Sequence, residues 1–104
     1  MYAISAVQLV TDNKNDLVRD TFCYQLFEEN VFDEQKLLEL LDCIDFLRQE
    51  NLLTDELYSI INWIVRGVDI CFTSHKDEND LYYIKNYIAK NECTWQSVWK
   101  NRMK

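Results

Sequence analysis

The chain has 104 residues, of which 48% are apolar and 13% aromatic, with one Gly and no Pro. That is enough for one hydrophobic core, too apolar for a disordered tail, and too poor in turn residues for a β-rich fold, whose hairpins call on Gly, Asn-Gly or Pro. The formal net charge of −7 makes an acidic body, which disfavours nucleic acid and anionic membrane surfaces and favours basic partners.

Residues 2–10 fit either a short helix or a strand. Residues 15–30, NDLVRDTFCYQLFEEN, read as a helix with apolar residues on more than one side. If that helix runs unbroken from residue 12, Asp12, Asp16 and Asp20 form an acidic stripe at intervals of four. The run Asn13–Lys14–Asn15 argues against continuity. A clearer helix spans 33–50, capped by Asn30 or Asp33. Leu37, Leu40, Leu41, Ile44 and Leu47 form its core stripe at the helical period, and Glu39, Asp42 and Phe46 fall opposite. Phe46 thus either stands among carboxylates or packs under a neighbouring loop.

Thr54 caps the next helix, with Asp55 and Glu56 in the first turn, where the helix dipole favours anions. Leu57, Ile60, Ile61, Ile64, Val65, Val68 and Phe72 make a broad core stripe. Trp63 and Ile70 lie on another side, which suggests a helix central in a bundle. Gly67 either ends this helix or lets another helix approach closely; the apolar period persists past it, so the helix is expected to continue to about residue 72. The loop TSHKDEND follows. Ser74 or Asp77 then caps a helix over 78–91, with Leu81, Ile84 and Ile88 inward and Tyr83 and Tyr87 off that stripe. A last helix starts at Thr94 and anchors Trp95, Val98, Trp99 and Met103. The expected fold is all-α: a single domain (1–104) of four or five helices, with a short N-terminal helix or strand.

Few residues here could carry chemistry. The lone His75 makes a poor metal or catalytic centre. A calcium loop beginning at Asp77 fails at its fifth, sixth and twelfth positions, which are Leu81, Tyr82 and Ile88. One Gly builds neither a phosphate loop nor a nucleophile elbow. Cys23, Cys43, Cys71 and Cys93 form no CxxC pair and read as small apolar residues of a reduced protein. No catalytic set, metal or cofactor is expected. The start, MYAISAVQLV, lacks a basic lead and a small-residue cleavage site, and Asn62, Arg66 and Asp69 interrupt the most apolar stretch, so the expected place is the cytoplasm, with no membrane contact.

Charge is the remaining signal. Residues 1–84 hold 17 acids and 6 bases, whereas 85–104 hold one acid, Glu92, and five bases. Carboxylates steer a basic partner, and a few aromatics supply buried anchors. The expected contact residues are Glu28, Glu29, Asp33, Glu34, Glu39, Asp42, Phe46, Asp77, Glu78, Asp80, Tyr83 and Tyr87. The expected function is that of a small acidic protein-binding inhibitor, an immunity protein that neutralises a basic nuclease-type toxin by covering its nucleic-acid-binding cleft. The alternatives are a phage-type nucleic-acid mimic that blocks a defence protein, and a helical adaptor or homodimer subunit. The lesser one is a nucleic-acid binder using residues 85–104.

Overall fold

The computed structural model describes residues 2–104. It is all-helical, with no strand among the described residues. The order is α1 (Ala3–Asp12), α2 (Phe22–Phe27), α3 (Glu34–Gln49) and α4 (Asp55–Lys76). A terminal rod follows, made of α5 (Ala89–Thr94), a π-helical turn (Trp95–Trp99) and α6 (Lys100–Met103) without a break.

Helices α3 and α4 form where their sequences demand it. Asp33 and Thr54 accept the backbone N–H groups of Lys36 and Leu57, which relieves one unpaired donor at each start. The expected stripes on both helices are buried throughout. α3 ends at Asn51, which stands in the left-handed region at φ 56°, while Leu52 N–H bonds Leu47 C=O and Asn51 N–H bonds Arg48 C=O. Asn does here what Gly usually does at a helix C-terminus. α1 packs on α3 and α4, α2 packs on both, and α6 returns onto both. An aromatic group closes the core: Phe32 meets Phe22 edge-on at 5.4 Å, Phe72 at 5.8 Å and the Trp99 ring at 6.1 Å.

One open alternative is settled and two expectations change. The N-terminal segment is a helix, with Ala6 and Val10 inward. The helix over 15–30 shrinks to α2, so Asp12, Asp16 and Asp20 form no stripe. Buried Asn13 is the cause. Its Nδ2 donates to Leu9 C=O and its Oδ1 accepts Cys23 N–H, so one amide closes α1 and opens α2. The helix over 78–91 is absent. Residues 77–88 form an irregular strap, in which Ile84 is buried while Leu81 is 98% and Ile88 51% exposed. The last helix therefore starts at Ala89, and Thr94 is not its cap. The Thr94 hydroxyl donates back to Lys90 C=O inside the rod, and Val98 is exposed.

Candidate functional site

The strap is held by side chains that a helix would have used otherwise. Asp77 Oδ1 accepts Asn79 N–H and Asp80 Oδ1 accepts Tyr82 N–H, two Asx turns that divert the backbone. Tyr82 N–H holds the Asp80 carboxyl below its usual range. The Tyr82 hydroxyl donates to Leu26 C=O at the end of α2. Asn30, left-handed at φ 63°, donates from Nδ2 to Tyr83 C=O, and its own carbonyl accepts Lys85 N–H at 2.7 Å. Asn86 brackets Phe32, donating to its carbonyl and accepting its N–H, each at 2.8 Å.

His75 sits in the last turn of α4. Its Nδ1 accepts the Ile84 N–H at 2.9 Å and its ring stacks on Tyr87 at 4.1 Å. It is a latch for the strap, and no group of three or more His, Cys, Asp or Glu side chains suited to a metal occurs among the described residues. Tyr87 belongs to the same latch. Its hydroxyl donates to Glu92 Oε1 at 2.6 Å, a bond that raises the phenol's pKa, and its ring also meets Phe72. Tyr87 is half-buried, so it is a poor partner anchor.

The expected contact residues separate into groups. Glu28, Glu29, Asp77, Glu78, Asp80 and exposed Tyr83 lie on the strap or on the 28–32 segment bonded to it. Glu34 is exposed at the start of α3, and Asp33 is engaged as its cap. Glu39 lies apart, bordering a cleft with Asp12, Asp20 and Lys36. Asp42 pairs with Arg102 at 3.4 Å, beside a shorter Arg102–Asp45 pair at 2.7 Å. Phe46 is half-buried and packs on the core. The end formed by the strap thus gathers carboxylates about fifty residues apart in sequence, while Glu39, Asp42 and Phe46 fall outside it and Tyr87, on the strap, is engaged in the latch.

Of the five bases in residues 85–104, Lys100 and Arg102 are engaged within the fold and Lys85, Lys90 and Lys104 are exposed. Lys100 pairs with Asp69 at 2.9 Å and Arg102 with Asp45. Trp95 is wholly buried and Trp99 nearly so, so neither can stack a base in the way single-strand binders require.

Two surface features escaped the sequence reading. Leu81, expected in the core, is the most exposed large apolar side chain and stands between Asp80 and the anchored Tyr82. The outer face of α4, with Trp63 and Ile70, is not covered by a further helix. It forms an apolar groove of ≈ 480 Å³ with Phe27 and Tyr82 along its sides. The second apolar side of α4 was the available signal for the groove. Nothing local marked Leu81, because its spacing to Ile84 and Ile88 fits a helix. No helix among the described residues is long and apolar enough to cross a membrane. No protein-family model, curated protein or solved structure matches this chain.

Proposed function

We propose that the chain is a protein-binding inhibitor that presents the strap end to a basic partner, in the manner of an immunity protein covering the nucleic-acid-binding cleft of a nuclease-type toxin. One observation carries the reading. Five carboxylates without an ion pair (Glu28, Glu29, Asp77, Glu78 and Asp80) share one end with exposed Leu81 and Tyr83, on a backbone tied down by Tyr82, Asn30, Asn86 and His75. Carboxylates at a rim accelerate encounter with a cationic surface, and pre-set apolar side chains bind without a large ordering cost. The carboxylates would take the places of substrate phosphates and Leu81 and Tyr83 would fix the register. Cys23, Cys43, Cys71 and Cys93 are free thiols, which suits work in the reducing cytoplasm. In this reading the chain does no chemistry of its own.

Glu28, Glu29 and Glu78 make no side-chain hydrogen bond or ion pair among the described residues, so they can be reversed without disturbing the fold. The test is affinity capture from the native host with the wild-type chain, beside Glu28→Lys/Glu29→Lys/Glu78→Lys and Leu81→Ser. The expected outcome is one basic protein retained at low salt. Its association should be at least about tenfold slower with the charge-reversed variant, and its dissociation faster with Leu81→Ser. Retention of no protein, or of an acidic one, or equal kinetics for all three baits would refute the proposal.

A further inference from the structure

We infer that the groove on the outer face of α4 is a binding site for a small aromatic carboxylate. The inference is independent of the strap, and its test needs no partner protein. The groove's volume of ≈ 480 Å³ falls within the roughly 300–1,000 Å³ typical of small-molecule sites. Its walls are rings. Phe27 meets Trp63 edge-on at 5.5 Å, and Phe27 lies over Gly67, where a Cβ would come within 2.6 Å of the Phe27 Cζ. The bare glycine therefore seats the Phe27 wall. Tyr82 faces them with its hydroxyl already held by Leu26 C=O, so it offers a ring surface without an unanswered donor. Ile70 and Cys71 complete an apolar floor. Flat aromatic ligands gain most from such walls, through offset or edge contacts with the rings.

Charge selects the head group. Among the described residues, Arg66 is the groove's only charged lining residue and no carboxylate lines it, although the chain carries a net charge of −7. Arg66 is exposed and makes no side-chain hydrogen bond or ion pair among the described residues. Its planar fork is therefore available for bidentate pairing with a carboxylate. A cationic ligand would meet Arg66 unfavourably, and a neutral one would leave it unpaired.

The experiment titrates the isotope-labelled full chain with indole-3-carboxylate and, separately, with indole-3-carboxamide, following amide and indole resonances. Expected are saturable shifts at the Trp63 indole N–H and at the Gly67 and Ile70 amides, with the carboxylate binding at least about tenfold more tightly than the carboxamide. Arg66→Gln should remove that difference while leaving the carboxamide's affinity and the thermal melt unchanged. Ile70→Glu should abolish both titrations. Absence of shifts at Trp63 and Ile70 up to ~10 mM, a ceiling set by ordinary small-ligand affinities, would overturn the inference. So would equal affinities for the two probes, or an unchanged preference in Arg66→Gln.

Discussion

Asp69 offers the sharpest test of how the terminal rod is held. Its Oδ1 accepts the Trp95 Nε1–H at 2.8 Å and its Oδ2 meets Lys100 Nζ at 2.9 Å. Trp95 is wholly buried, so Asp69→Ala strands an indole donor away from water at a cost of about 1–3 kcal/mol. The Lys100 pair is 22% and 33% exposed at its two side chains, and its loss adds only about 0.5 kcal/mol. The expected total is roughly 1.5–3.5 kcal/mol, which in a domain of this size lowers Tm by roughly 6–28 °C. Asp69→Asn keeps an oxygen for the indole and removes the ion pair, so it should cost about 1 kcal/mol or less. Urea unfolding followed by circular dichroism, with unchanged m, measures both. In a Trp95→Phe background Asp69→Ala should retain only the Lys100 part. The reasoning fails if Asp69→Ala costs no more than Asp69→Asn, or if the Trp95→Phe background leaves the cost intact. Acid supplies a second reading. Burial pushes the Asp69 carboxyl up, but the hydrogen bonds and charge of Lys100, together with Trp95, outweigh it and set the pKa below the usual value. A carboxyl depressed on folding adds stability above its unfolded pKa of about 4 and loses it as pH falls through the folded value. The gap between wild type and Asp69→Asn should therefore narrow below about pH 4.

Two further changes probe the strap and the groove wall. His75→Ala removes the acceptor of the Ile84 N–H and the ring on Tyr87. It should cost about 2 kcal/mol and speed amide exchange at Ile84 at least about tenfold. Unchanged exchange at Ile84 would mean that His75 is not a latch. Gly67→Ala gains about 1 kcal/mol of helix propensity but drives a Cβ into the Phe27 ring, which typically costs about 1–3 kcal/mol. Net destabilisation is expected, turning to stabilisation in a Phe27→Ala background, as thermal melts of the four proteins would show. The same sign in both backgrounds would dissociate Gly67 from Phe27.

α3 and α4 were legible because their information is local. Their caps stand one residue before the helix, and their core residues recur at the helical period over about three turns in α3 and four in α4. The same rule misled at the strap. Leu81, Ile84 and Ile88 match an inward stripe, yet only Ile84 is buried. The α2 region failed for a related reason, since Asn13, which ends α1, also accepts the Cys23 N–H in the first turn of α2 ten positions later, beside the local Thr21 cap. Two of the expected contact residues, Asp42 and Tyr87, are engaged by partners outside their own local pattern. Arg102 claims Asp42 from sixty residues away, and Tyr87 is claimed by a histidine in the preceding helix.

Composition and periodicity by themselves determined the helical class, the two long helices and their buried faces, because helix formation and apolar burial follow from spacing within a few turns. Tertiary structure decided that residues 77–88 leave the helix, that Leu81 faces solvent and that the outer side of α4 is a groove. Those outcomes depend on which donors and acceptors meet across the fold. Asn30, Asn86, His75 and Tyr82 supply strap contacts that a local helix would have supplied from within. No local pattern distinguishes a backbone satisfied by its neighbours from one satisfied by residues fifty positions away.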